Sequence, residues 1–289
     1  MNIGVIGNPR YADLQSILRL LADLAPKRGV TLFTDEGLES LWPKAPAPIQ
    51  GAKLDVLITL GGDGTLLRGA RLLDGRETPI LGVNLGRVGF LTSAARESFA
   101  TAIDAVAAGR YAIERRQALR AVIHGADGGE RSLTHALNDV VVHKGGVARV
   151  VRLRVLIGDE EVGPYSADGI VVATPTGSTA YSLSAGGPIV VPGVEALVVT
   201  PICAHTLAVR PLVIPSSSEV TIEPIAPWAD DLLVSFDGQV GTTLITGDKV
   251  QVRRADHKVL LVRLEGDSFF ELMREKLHWG DLQHRQVPR

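Results

Sequence analysis

One stretch limits the possible folds of this chain more than any other: Asp55-Val-Leu-Ile-Thr-Leu-Gly-Gly-Asp-Gly-Thr65, followed by Leu66-Leu-Arg-Gly-Ala-Arg-Leu-Leu73. An apolar run of strand length passes through a glycine turn straight into a helical pattern, as in a strand–turn–helix unit. Such a turn sets backbone N–H groups at a helix N-terminus, where they can point at an anion, and its glycines let a phosphate come close to the main chain. An acid is unwelcome beside phosphates unless it holds a cation or takes a proton from an incoming hydroxyl, so Asp63 reads as chemistry. The same spacing also fits a plain strand-to-helix turn in which Asp63 caps the helix.

The surrounding residues repeat this alternation. Ile3 to Ile6, Thr31 to Phe33, Asp55 to Leu60 and Pro79 to Val83 read as strands, and Asp13 to Ala25 and Arg96 to Ala108 as helices. Residues 1–118 are therefore expected to form a Rossmann-like α/β domain with a mostly parallel sheet and a site at the carboxyl ends of its strands. Leu41 to Pro48, with its three prolines, is expected to be a surface loop.

Beyond Gln117 the apolar period falls to two. Ala118 to His124, Arg131 to His143, Val150 to Ile157, Gly169 to Thr174, Val194 to Thr200, Glu219 to Pro224, Leu232 to Phe236, Lys249 to Arg254 and Val259 to Leu264 read as strands. Turn residues such as Gly158-Asp159 and Ala255-Asp256 separate them. Residues 119–265 thus predict an antiparallel β-rich, sandwich-like domain, and the fold class is α/β plus all-β. After Gly266 a helix returns, opened by Ser268 with Glu271 three positions on, and residues 266–289 are expected to pack back on the first domain.

With 289 residues, 45% of them hydrophobic, the chain has room for two domains. A formal net charge of −2 gives no electrostatic footprint for nucleic acid or an anionic membrane. No apolar run reaches membrane-spanning length, and no secretory signal is visible. A single cysteine rules out an intrachain disulfide, and the protein is expected to be cytoplasmic. Cys203 is expected to be a small buried residue, and the scattered histidines have no metal-ligand spacing.

The second strong signal is Asp168-Gly-Ile-Val-Val-Ala-Thr-Pro-Thr-Gly-Ser-Thr-Ala-Tyr-Ser-Leu-Ser-Ala-Gly-Gly-Pro188. A buried strand runs into a loop of hydroxyl and small residues, suited to a ribose or a flat base lying close to the backbone. Together with Gly-Gly-Asp-Gly-Thr65, Asn84-Leu-Gly-Arg-Val-Gly-Phe-Leu91, Asn138-Asp139, the segment Pro201 to Leu212 and Asp237-Gly-Gln239, this block resembles the NAD kinases in order and spacing. The resemblance extends from about Ile3 to Gly280. One departure is that many members carry Asn-Glu where this chain has Asn138-Asp139, which shortens the acidic arm by a methylene.

The resemblance implies phosphoryl transfer from ATP, another nucleoside triphosphate or polyphosphate to the 2′-hydroxyl of the adenosine ribose of NAD, giving NADP. A divalent ion, expected to be Mg²⁺, would neutralise phosphate charge; no metal ligand is assigned. Asp63 looks like the base. Gly62 and Gly64 would give phosphates access to amides, with Arg68 adding positive charge. Carried over from the family, Asn138 and Asp139 would hold ribose hydroxyls and the adenine. Thr179, Ala180, Tyr181, Ser182, Leu183 and Ser184 would line the dinucleotide, joined by Arg149, Ser166, Asp168 and Gln239. Resembling proteins are homodimers or homotetramers, and Arg149, Ser166 and Asp168 are candidates for contributions to a neighbouring subunit's site. Two other readings remain open at this point: a nucleotide-sensing module without catalysis, and a diacylglycerol-type lipid kinase, which shares a similar glycine turn.

Overall fold

The apolar runs near the N-terminus become parallel strands, each delivering its carboxyl end to a turn. The computed structural model describes residues 1–279 other than 87–88, 133–134, 146–149, 207, 226–231, 239, 246 and 267. Its contacts divide the chain into two units: Met1–Gly69, Thr78–Glu114 and the chain from Leu261 onward in one, Ala70–Glu77 with Arg115–Leu260 in the other.

The first unit contains β1 (Asn2–Gly7), α1 (Leu14–Leu24), β2 (Thr31–Thr34), β3 (Ala47–Pro48), β4 (Val56–Gly61), the start of α2 (Asp63–Leu73), β5 (Ile80–Asn84), β6 (Ala94–Ala95) and α3 (Phe99–Ala107). Its strands pair in parallel in the order β3-β2-β1-β4-β5, with β6 on β5. Helix α1 buries Leu14, Ile17, Leu18 and Leu21, and α3 buries Phe99, Ala102, Ile103 and Val106; both sets follow the spacing that gives a helix one apolar face. These faces join Ile3, Val5, Ile58, Leu60, Leu81 and Val83 in a single core. The stretch Leu41 to Pro48 is not simply a surface loop. Trp42 is buried and its indole N–H donates to Thr34 Oγ1 at 2.8 Å, while Ala47–Pro48 extends the sheet edge, because burying an indole with its N–H satisfied outweighs the turn tendency of the prolines.

The second unit contains β7 (Ala112–His124), which enters it from Arg115, then β8 (Glu130–Ser132), β9 (Asp139–Lys144), β10 (Val151–Ile157), β11 (Glu160–Ala167), β12 (Gly169–Ala173), the short α4 (Tyr181–Ser184), β13 (Ala196–Ile202), β14 (Leu212–Pro215), β15 (Val220–Pro224), β16 (Leu232–Phe236), β17 (Val240–Leu244) and most of β18 (Lys249–Arg263). One antiparallel sheet runs β14-β13-β12-β9-β16-β17, and β11-β10-β15-β18 forms a second antiparallel set. Alternate residues of both, among them Val140, Val142, Leu153, Val155, Val172, Val199, Val234 and Val250, share one core, so the sandwich-like expectation is met. The opposite face of β9, β12 and β13 is buried too: Val141, Val171, Ala173 and Val198 pack with Val190. Burial on both faces explains why Val140-Val-Val142 and Ile170-Val-Val-Ala173 read as continuous apolar runs.

Among the strands that differ from expectation, two differences have a clear physical cause. The run Arg131 to His143 is not one strand: β8 ends at Ser132 and β9 begins at Asp139, where three successive amides leave the ladder for a side chain described below. Ala255-Asp256 does not turn the chain; β18 continues through it, with Ala255 only 3% exposed, because a core position overrides local turn preference. The helix after Gly266 is α5 (Phe269–Leu277). The hydroxyl of Ser268 accepts the Glu271 N–H, and His278 closes the helix in the left-handed conformation. In the first unit, the Phe269 ring lies 6.3 Å from that of Phe90, and Lys276 Nζ lies 5.8 Å from the Phe90 ring centre.

Candidate active site

In the first unit, the fully buried β4 delivers the chain to Gly61, and the Gly62 carbonyl accepts the Thr65 and Leu66 N–H groups at 2.9 and 3.3 Å, opening α2. Asp63 is the first residue of that helix and remains partly exposed. Its carboxylate is gripped from a second segment. Phe90 N–H donates to Oδ2 at 2.7 Å and Leu91 N–H to Oδ1 at 3.2 Å. Gly89 allows this approach, since a Cβ there would fall inside the Asp63 carboxylate. At the start of the same segment Asn84 Oδ1 accepts the Gly86 N–H at 2.7 Å, turning the chain off β5. The Asn84 to Leu91 motif is thus a holder for Asp63. Arg68 lies one turn into α2, half-exposed, and its guanidinium donates to the Gly7 carbonyl at 2.9 Å and pairs with Asp35 at 3.0 Å. Its charge is therefore already partnered.

In the second unit, Asn138 and Asp139 stand at the entrance to β9, and their backbone is fixed by Asp237. That carboxylate accepts the N–H groups of Leu137 at 3.1 Å, Asn138 at 2.7 Å and Asp139 at 3.3 Å, and Arg71 lies 4.0 Å away. Asp237 has φ +50° in its Asp-Gly turn, and the Asp-Gly pair in sequence signals the turn but not the role of the side chain. Burial raises the Asp237 carboxyl above its ordinary range, against the opposing pull of the three amides and Arg71. Asp139, 3% exposed, is pushed up to about 7 by burial and then by the charge of Asp237. With its own donors, Asp237 is the better placed of the two to keep the charge, leaving the proton on Asp139.

The loop after β12 is bound to the same strand entrance. Thr174 N–H donates to the Asn138 carbonyl at 2.9 Å and its hydroxyl to the Leu137 carbonyl at 2.6 Å. A Cβ on Gly177 would collide with the Asn138 backbone. Ser178 bridges Pro175 and Val190, and the buried Arg116 donates to Thr176 Oγ1 at 3.0 Å. Of the residues proposed to line a dinucleotide, Thr179, Ala180 and Leu183 are partly buried, while Tyr181 and Ser184 are exposed. Ser182 turns inward, fully buried, its hydroxyl 2.8 Å from that of Thr200. The Tyr181 phenol is raised by burial first and then by the nearby charges of Cys203, Asp139 and Asp168. Asp168 pairs with Lys144 at 2.8 Å, and the Ser166 carbonyl accepts the His205 N–H. Arg149 and Gln239 lie outside the described residues. Cys203 is exposed rather than buried, at φ +47°, because the chain turns there just beyond the end of β13.

Among the described residues no group of three or more His, Cys, Asp or Glu side chains is arranged to hold a metal ion. A hard cation that arrives with a triphosphate needs no such cage, since Mg²⁺ keeps waters and phosphate oxygens as most of its ligands. No described helix is long and apolar enough to cross a membrane.

Residues 3–111 match the family described as ATP-NAD kinase N-terminal domain, and residues 137–264 match the ATP-NAD kinase C-terminal domain. A protein named NAD kinase from Gemmatimonas aurantiaca is 49% identical over 285 residues, covering 99% of this chain and 98% of its own. The chain belongs to the NAD kinase family. Another NAD kinase, from Geobacter metallireducens, is 46% identical over 228 residues, 78% of this chain and 80% of its own. Among solved structures, yeast NADH kinase complexed with NADH matches this family member with a TM-score of 0.87 at 27% identity, over 100% of this chain and 90% of its own. An Archaeoglobus fulgidus NAD kinase in complex with ATP shares the fold, with a TM-score of 0.75 at 24% identity over 96% and 99% of the two chains. Neither a sensing module nor a lipid kinase is favoured by these matches.

Proposed function

We propose that this member of the family transfers a phosphoryl group from ATP, another nucleoside triphosphate or polyphosphate to the 2′-hydroxyl of the adenosine ribose of NAD, giving NADP, with Asp63 accepting the hydroxyl proton. The observation that carries this reading is the grip on Asp63. A partly exposed carboxylate at a glycine turn and helix N-terminus has both oxygens fixed by the Phe90 and Leu91 amides, and each oxygen keeps a lone pair for an incoming hydroxyl. Phosphoryl transfer asks mainly for positioning and charge neutralisation, and the base need only take the proton late. The turn amides around Gly62 and Gly64 are assigned to donor phosphates, and Mg²⁺ bound with the triphosphate supplies further charge neutralisation.

In the second unit, Asn138 and Asp139 are assigned to the ribose hydroxyls and adenine. Thr179, Ala180, Tyr181, Leu183 and Ser184 are assigned to the dinucleotide face, with Ser182 shaping the loop from inside. Arg149, Ser166, Asp168 and Gln239 complete the set, the first three serving a neighbouring subunit in a homodimer or homotetramer. Arg68, partnered by Asp35, would reach a phosphate only by exchanging that partner. The protein is proposed to act in the cytoplasm. Transfer of labelled phosphate from ATP to NAD and to a diacylglycerol tests the activity; labelling of the diacylglycerol in place of NAD, or of neither, would overturn it. For the base, Asp63→Asn should lower turnover by about two to four orders of magnitude while NADP binding survives in calorimetry. Near-normal turnover would leave Asp63 as a structural tie between the glycine turn and the Phe90–Leu91 segment.

A further inference from the structure

The grip on Asp63 is itself held from behind. Leu91, whose N–H reaches Asp63, is 3% exposed, and its carbonyl accepts the Arg263 guanidinium at 3.2 Å. The same nitrogen of Arg263 donates to Ser93 Oγ at 2.9 Å, and its Nε donates to Glu114 Oε2 at 2.5 Å. Ser93 in turn donates to the Val262 carbonyl at 2.8 Å. Arg263 and Glu114 are only 16% and 34% exposed, so this pair is shielded from the solvent that weakens surface ion pairs. The Phe90 ring, next along the chain, lies against Phe269. All these groups belong to the first unit.

We propose that Arg263, held by Glu114, is a positioning residue for the transfer: it fixes the Leu91 peptide, and through the Phe90 and Leu91 amides it sets the orientation of the Asp63 carboxylate. It touches neither substrate nor reacting atom. The inference rests on Asp63 being the base. Misplacing that carboxylate by about an ångström is enough to slow transfer by about a hundredfold. Substrate binding by other residues has no reason to change.

The test is a double-mutant cycle on the full chain with Arg263→Met and Asp63→Asn, reading kcat and KM for NAD and ATP, with NADP affinity and Tm measured alongside. Arg263→Met should lower kcat by about tenfold to a hundredfold, leave both KM values within about twofold, and add no further loss in the Asp63→Asn background. Glu114→Gln, which keeps Arg263 and its bond to Leu91, should show a smaller loss of the same kind, and it serves if Arg263→Met does not fold. Unchanged kcat in both variants, a loss confined to KM, or the same fold-loss in the presence and absence of Asp63 would overturn the proposal. Near-normal turnover of Asp63→Asn alone would instead sink the base assignment, so the two failures are distinct.

Discussion

Asp139 and Asp237 are both buried, yet they meet different surroundings. Asp237 has three amide donors and a nearby guanidinium; Asp139 has burial and a neighbour's negative charge. The Asp139 carboxyl is therefore raised from an ordinary 3.8 to about 7. An acid raised by folding makes the folded chain hold more protons than the unfolded one between those two values, so stability is greatest below that window and falls as pH rises through it. Replacing Asp139 by Asn removes the ionisation while keeping the size. Thermal melts from pH 4 to 8 should then show a flatter decline for Asp139→Asn than for the parent, and parallel curves would mean that another group carries the slope. At Gly177 the constraint is steric. Because a methyl group there would collide with the Asn138 backbone, Gly177→Ala should destabilise the fold by about 1–3 kcal/mol and weaken NAD binding more than ATP binding, read by denaturant melts and calorimetry.

At the scale of elements, much of the fold could be read directly from the residues. Helices α1 and α3 announce themselves through four apolar residues each at one-face spacing, and the α5 cap through Ser268 and Glu271. Removing that cap by Ser268→Ala should cost about 1 kcal/mol in a denaturant melt, and a null result would mean that packing alone holds the first turn of α5. Elements set by long-range contacts were illegible. Ala255-Asp256 has the chemistry of a turn, and only the core position of Ala255 keeps β18 straight. Glu160–Ala167, with Gly163, Pro164 and three exposed residues at its start, lacks the alternation that marks a strand, and only pairing with β10 makes it one. The candidate site divides in the same way. Asp63 stood out because its turn is local, whereas Asp237 acts on amides about a hundred residues away and Phe90 and Leu91 act through main-chain N–H groups that no side-chain pattern encodes. Arg68 was legible as a charge, but its pairing with Asp35 was not.

At the scale of the whole molecule, the proposed sharing of sites between subunits can be tested by complementation. Asp63→Asn and Asp168→Ala are each expected to be inactive alone. Dissociated, mixed and reassembled, they should regain part of the activity if one subunit supplies Asp63 and its neighbour Asp168. Mixed oligomers verified by mass spectrometry but without activity would put both residues in the same subunit's site.

The units are also interleaved along the chain: the first takes residues 1–69 and 78–114, is set aside while most of the second is laid down, and is completed only from Leu261 onward, where β18 brings Leu261 into register with Ile80. On a ribosome, the N-terminal unit is therefore the last to be finished. Its core must wait through the synthesis of about 150 residues, 115–260, before Val262 completes it, at the stage when a nascent chain most needs a chaperone.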